Sequence, residues 1–273
     1  MTTHFETAGD ARIAVCFFGI TRSLEHTLGS IREHVLEPAR RVGSIRVFTH
    51  LFRIERIDNA RSGESAGVPQ GQHELLSSDW LRLEEPGACL EARGFEAIAA
   101  HGDFWNDGFQ SLRNLVHQLH SLDVVTEAAL AWEPDVVVFC RPDLRYLDSL
   151  EPWLERAVAA EEPAVWLPSW QHWGGFNDRF AVCAGERAAC AYGRRVSGAL
   201  EFVVSRRRPL HGERLLAWSL RREGVPVRLM GTRAVRVRVG GAEVRERFLP
   251  GWVDLFDEAF WGAVSRARRV VGV

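Results

Sequence analysis

Apolar runs and helical stripes alternate along this chain, beginning with Arg12 to Phe18 (RIAVCFF), a short run that suits a buried strand. It ends in Gly19-Ile20-Thr21-Arg22 and leads into an amphipathic segment from Ser23 to about Arg41, where Leu24, Leu28, Ile31, Val35 and Leu36 recur at helical spacing. Ser44 to Leu51 then reads as a second strand with a polar tip, Thr49-His50. Strand, helix and strand in this order predict a βαβ opening, hence a parallel sheet with a right-handed crossover. The turn carries a single glycine, so the G-x-G-x-x-G dinucleotide fingerprint is absent.

From Arg53 to about Gly108 the pattern weakens, with Gly, Ser and Pro concentrated in RSGESAGVPQGQ. A stretch of that length without regular structure is uncommon in a compact domain unless it is a lid or an insertion. Residues 53–108 are therefore expected to be an inserted, partly mobile region over the sheet edge. Periodicity returns from Phe109 to Trp132, where Leu112, Leu115, Val116, Leu119 and Leu122 form one apolar stripe. Asn114, Gln118 and Ser121 share another face, and this helix feeds directly into the next strand.

That strand, Val136 to Cys140, is continuously apolar and stops at Arg141-Pro142-Asp143. Proline cannot donate to a sheet ladder, so Pro142 ends the strand where two opposite charges stand side by side. In an open α/β sheet ligands sit at the carboxyl ends of the strands, which makes this pair a site candidate. Downstream, Leu150 to Ala160 reads as a helix and Ala164 to Leu167 as a strand, followed by PSWQHWGGFNDRFAVC (168–183). Its Trp170, Trp173 and Phe176 beside Gly174-Gly175, with Asn177-Asp178-Arg179 next, suit either a ligand loop or a hydrophobic anchor. Glu186 to Val204 and Pro209 to Arg222 read as helices, the second opening on His211 and Glu213, where helix N–H groups favour an anion. Val225 to Met230 and Ala234 to Val239 suit strands, and residues 240–273 are expected to form a C-terminal helical extension.

The pattern as a whole predicts an α/β fold, a Rossmann-like, mainly parallel central sheet flanked by helices, as a single domain over residues 1–273. Composition narrows the chemistry. All 34 residues counted as Lys plus Arg are arginine, which excludes a pyridoxal phosphate Schiff base and a Walker P-loop lysine. Any anion must then be held by Arg, backbone N–H groups or a metal. Net charge is −2, so no nucleic-acid footprint is implied. The five cysteines form no C-x-x-C and read as buried hydrophobes rather than disulfides or zinc ligands. There is no signal pattern and no membrane-length apolar run, and a cytoplasmic protein is expected.

Five segments, GITRS, VFTHLF, SLRNLVHQLHSL, VVVFCRPDLRYLD and GGFNDRFAVC, stand in an order that resembles bacterial GT-A-like glycosyltransferases of the lipopolysaccharide and capsule type. The resemblance implies a nucleotide-sugar donor at the carboxyl edge of the sheet and transfer of the sugar to a hydroxyl of a glycan or lipid-linked acceptor, with peripheral membrane contact left open. Such enzymes usually carry an Asp-x-Asp metal motif where this chain has Arg141-Pro142-Asp143, so the first acid is replaced by a base. Either Asp143 holds Mg²⁺ or Mn²⁺ with help from donor phosphates, or Arg141 neutralises the diphosphate directly.

The roles implied are Arg22 on donor phosphate or base, His50 in the nucleotide pocket, and Asp143 as metal or sugar ligand. Asn177 and Asp178 would touch sugar, with Asp178 or Glu213 as the base that activates the acceptor. Asn114, Gln118, Trp173, Arg179 and His211 complete the candidate substrate-binding set. Two other classes stay open: a non-catalytic glycan- or partner-binding protein of the same fold, and a nucleotidyltransferase.

Overall fold

The computed structural model describes residues 11–59 and 63–249. β1 (Arg12–Gly19) leads to α1 (Leu24–Ile31), which runs through a π turn (Arg32–Leu36) into α2 (Glu37–Val42). Pro38 lacks the N–H that would reach back to His34, and the carbonyl so freed accepts from the backbone N of Leu150 at 2.9 Å. Then come β2 (Ser44–Phe52), the hairpin β3 (Arg56–Asn59) and β4 (Glu64–Gly67), a 3-10 turn (Gln72–Leu76), β5 (Trp80–Glu84), α3 (Ala88–Ala92) and α4 (Phe95–Ala99). The long α5 (Gln110–Leu130) precedes β6 (Val136–Cys140), β7 (Leu144–Tyr146), α6 (Glu151–Val158), β8 (Ala164–Pro168) and β9 (Ala181–Ala184). The chain continues with α7 (Glu186–Gly193), a 3-10 turn (Arg195–Gly198), α8 (Ala199–Arg206), α9 (Gly212–Arg222), β10 (Val227–Met230) and β11 (Ala234–Arg236).

Seven strands form the central sheet in the order β10-β8-β9-β6-β1-β2-β5. It is the mainly parallel, helix-flanked α/β sheet expected from the apolar runs, with one strand reversed: β9 pairs antiparallel with both β6 and β8. Alternation along β1 explains why its run is apolar throughout. Ile13, Val15 and Phe17 pack on one side with α1, α2 and α6, while Ala14, Cys16 and Phe18 pack on the other with α5, α7 and α9. β6 divides likewise, Val136, Val138 and Cys140 against Val137 and Phe139. A third cluster, including Phe95, Leu112, Val116, Phe202 and Leu215, ties α4, α8 and α9 to α5.

The stretch 53–108, patternless in sequence, contributes the β3–β4 hairpin and, through β5, a parallel edge strand beside β2. Two short strands outside the main sheet, β7 and β11, pair antiparallel just beyond the end of β6. Residues 240–249 contain no helix, and the rest of the expected C-terminal helical extension lies outside the described residues.

Candidate active site

The sheet order places β2 on one side of β1 and β6 on the other, so the order in which strands are added reverses between the parallel neighbours β1 and β6. A crevice opens at such a switch point, outside the carboxyl ends of the two strands. Here it is a cavity of about 600 Å³, with Phe18, Gly19, Ile20 and Arg22 from the end of β1, and Arg141 and Asp143 from the end of β6, in its walls. Gly19 makes the turn into it at φ +105°, a conformation that side-chain-bearing residues rarely adopt, and its N–H donates to Ser121 Oγ at 2.9 Å.

Charge is arranged as a chain across the cavity wall. Arg141 grips Asp143 with two parallel bonds, Nε to Oδ1 at 2.9 Å and Nη2 to Oδ2 at 2.8 Å. Arg22 Nη2 donates to the same Oδ2, and its Nη1 reaches Glu64 Oε2 at 2.9 Å. Glu64 also accepts from Arg238 Nη1 at 2.8 Å and from the backbone N of Val239 at 3.0 Å. Three guanidiniums thus share two carboxylates, and Arg56 and Arg236 add further positive charge to the lining. Burial alone would raise the pKa of Asp143, which is 1% exposed; the charges of Arg141 and Arg22 and their hydrogen bonds outweigh it and hold the carboxyl far below its usual range. Phe18, Phe52, Ile54 and Ile57 add apolar surface to the same lining.

Of the residues singled out in the sequence, Arg22, Asn114, Gln118, Arg141 and Asp143 meet in this cavity, and Gln118 accepts from Arg141 Nη1 at 3.3 Å. His50 does not line it. It lies two residues deeper along β2 than Phe52, which packs edge-on against its ring and itself forms the wall. Asp143 has both carboxylate oxygens occupied by guanidinium, so a Mg²⁺ or Mn²⁺ ion there would have to displace Arg22 or Arg141.

Asp178, Glu213 and His211 form a second polar cluster, outside the lining of this cavity. Asp178 is paired with buried Arg195 at 3.0 Å, and Tyr192 donates to its backbone carbonyl at 2.8 Å. Glu213 sits in the first turn of α9, 3.2 Å from His211 Nδ1. Burial, and then the charge of Asp178, push its pKa up to about 8. His211 stacks on Trp105 and meets Phe104 edge-on. Gly175 lets the neighbouring loop reach the start of α9, where Phe176 N donates to the Glu213 carbonyl at 3.1 Å; a Cβ at Gly175 would fall 1.9 Å from that oxygen.

The loop residues do different work. Asn177, 1% exposed, staples its own loop: Nδ2 donates to the Trp170 carbonyl at 2.7 Å and Oδ1 accepts from Arg179 N at 3.1 Å. Arg179 lies over the Trp170 ring and holds Gln171 at 2.6 Å and Glu246 at 3.2 Å. Burial, together with the charge of Arg236, brings its pKa down to about 10. Trp170 is fully buried, the hydrophobic anchor, whereas Trp173 stands 41% exposed. The sequence reading missed Glu64, which lies in a segment without periodicity, and Arg236 and Arg238, the polar positions of a stretch read only as a strand. It also missed His50, Glu84 and His120 as a group that could hold a metal.

No family model matches the chain, and no curated protein matches it in sequence. Among solved structures it is similar to mouse xyloside xylosyltransferase 1 in its apo form, with 10% identity and a TM-score of 0.44 over 81% of this chain and 85% of that one. It is also similar to a protein from Bacillus anthracis described as a glucose-1-phosphate thymidylyltransferase, in complex with a sucrose, with 13% identity and a TM-score of 0.35 over 83% and 89% of the two chains. At such scores the likenesses carry no residue-level correspondence. No helix among the described residues is long and apolar enough to cross a membrane.

Proposed function

We propose that this protein is a GT-A-like glycosyltransferase that binds a nucleotide-sugar in the switch-point cavity and passes the sugar to a hydroxyl of a glycan or lipid-linked acceptor. The observation that carries this reading is that one cavity is lined both by arginines, Arg22, Arg141, Arg236 and Arg238, and by apolar side chains, Phe18, Phe52, Ile54 and Ile57. Its volume of about 600 Å³ suits a small-molecule ligand. A nucleoside diphosphate needs such a combination, with apolar surface for the base and planar donors for the phosphates.

As the glycosidic bond breaks, negative charge grows on the departing diphosphate, and guanidinium groups already in place stabilise it without reorganising. Arg141 is the best placed for this, being the more exposed of the two partners of Asp143. Asp143 would then act as the counter-charge that orients Arg141 and Arg22, with Gln118 and Asn114 offering hydrogen bonds from α5. Glu213, neutral at pH 7, would serve as an acid or, once ionised, as the base toward the acceptor; Asp178 is the other candidate, already paired with Arg195. Exposed Trp173 offers a flat face to a sugar ring. In this reading the described residues form one domain, and the enzyme works in the cytoplasm on cell-surface polysaccharide or glycoconjugate.

The full use of Asp143 by two guanidiniums favours a second reading, a sugar-binding protein of this fold without transfer. Incubation with a panel of UDP-, GDP-, CMP- and dTDP-sugars separates the possibilities. Release of free nucleoside diphosphate or monophosphate supports the transferase, and binding without turnover the sugar-binding protein; pyrophosphate released in a separate incubation with nucleoside triphosphates and a sugar 1-phosphate would make it a nucleotidyltransferase.

A further inference from the structure

His50 at the end of β2, Glu84 at the end of β5 and His120 on α5 bring two imidazoles and a carboxylate together outside the cavity lining, with ligand atoms within 4.8 Å of one another. Glu84 Oε2 lies 2.9 Å from His120 Nε2, and Glu84 Oε1 lies 3.5 Å from His50 Nε2. In a four-coordinate zinc site with bonds near 2.0–2.1 Å, neighbouring ligand atoms stand about 3.3 Å apart, so the two carboxylate–imidazole spacings bracket that value and a small side-chain adjustment would bring all three onto one ion.

Hydrogen bonding around His50 leaves its inner nitrogen wanting a cation. Ser121 Oγ accepts from Gly19 N–H at 2.9 Å and donates its one hydrogen to the His50 carbonyl at 2.7 Å. Its remaining contact, His50 Nδ1 at 2.9 Å, is therefore a donation from the ring. That puts the proton on Nδ1 and leaves Nε2 a bare lone pair, fully buried, without a hydrogen-bond partner, facing a carboxylate oxygen. On the far side His120 Nδ1 accepts from Arg93 Nε at 3.0 Å, and its Nε2 proton goes to Glu84. A metal would move that proton to Nδ1; Arg93 has a second partner, Asp123 at 2.6 Å, to hold it when it lets go. Arg82, largely exposed, pairs with Glu84 Oε1 and is free to swing into solvent.

We propose that His50 Nε2, the Glu84 carboxylate and His120 Nε2 bind one divalent transition ion, zinc being the best match, as a clip that pins β2 and the edge strand β5 to α5. Two imidazoles and one carboxylate suit zinc and its transition-metal neighbours rather than Mg²⁺ or Ca²⁺, which prefer all-oxygen shells. Ser121 acts as a positioning residue, fixing the tautomer that leaves Nε2 free. The site is independent of what the cavity binds.

The test uses the full chain, stripped with a chelator, dialysed against Zn²⁺ and analysed for metal, and separately titrated with Co²⁺ while visible absorption is recorded. The wild type is expected to keep one zinc per chain and to develop a Co²⁺ spectrum that Zn²⁺ abolishes and excess Mg²⁺ does not. Glu84→Gln and His120→Gln should lose that spectrum, and Ser121→Ala should weaken zinc binding by about 10- to 100-fold. Failure of the wild type to retain zinc or show the spectrum overturns the proposal, whatever the variants do. So does a spectrum that survives both ligand substitutions in folded protein.

Discussion

Arg22, in the turn after β1, and Asp143, just beyond the end of β6, meet side chain to side chain across the switch point of the sheet, 121 residues apart in sequence. Both are buried, and Arg141 grips the same carboxylate from the other side. The contact welds the two strand ends whose divergence opens the cavity.

Removing Asp143 leaves two guanidiniums without their shared anion in a buried place. Asp143→Ala is expected to cost about 3–5 kcal/mol of stability, the range for breaking a buried ion pair from one side, read as a lower urea midpoint. Because the folded state holds this carboxyl below its unfolded pKa, its contribution is present at neutral pH and fades as pH falls through and below the ordinary carboxylate range, near 4. Asp143→Asn should lose that acid dependence. A wild-type midpoint unchanged by Asp143→Ala would remove the residue's structural role.

Glu213 gives the opposite sign. Its pKa is raised from about 4.5 to about 8, so between those values the unfolded chain has lost a proton that the folded chain keeps. Stability should fall as pH rises across that window and level off above it. The groups around it, Asp178, Arg179, Arg195 and His211, set the size of the effect. Glu213→Gln should flatten the slope in melting temperature between pH 5 and 8.5. An identical slope in both proteins would place the titrating group elsewhere.

Much of this was legible in the chain's pattern, for physical reasons that also mark what was not. β1, β6 and β8 declare themselves because strands covered on both faces must be apolar throughout, and α5 because one stripe must face the sheet. β5 carries alternating Trp80, Arg82 and Glu84 at a half-exposed edge, so it lacks that signature. β9 is apolar, but Phe180 and its neighbours follow a loop of the same character, and nothing local says that the strand runs backwards. Arg141 and Asp143 were readable as a site because proline stops the strand at charges. That both oxygens of Asp143 are taken was not, since the second partner, Arg22, comes from a distant turn. His50 was read as pocket-lining from its place at a strand tip, yet Phe52 occupies that wall.

Gly175 is expected to be intolerant of any side chain. A Cβ there would sit 1.9 Å from the Glu213 carbonyl oxygen, backbone against backbone, with no flexible end to yield. Gly175→Ala should lower stability by about 1–3 kcal/mol, the usual cost of overpacking, and alter the pH slope assigned to Glu213. Gly174→Ala is a poor control because its φ is +77°; Gly231→Ala, with open space at its Cβ, is the better one.

If arginines supply the charge that a cation would otherwise provide, binding of a nucleoside diphosphate should weaken steeply with salt and little with EDTA. Calorimetry at two ionic strengths, with and without chelator, reads both. A requirement for Mg²⁺ or Mn²⁺ would mean that Asp143 gives up a guanidinium for a metal.

The most direct test of the central claim is calorimetric titration of UDP, GDP, CDP and dTDP into the wild type and Arg141→Ala. The cavity reading predicts that at least one binds the wild type stoichiometrically and that Arg141→Ala, still folded by circular dichroism, loses more than about 1.4 kcal/mol, a tenfold drop in affinity. Binding of none of the four to the wild type, or equal affinity in the two proteins, would contradict it.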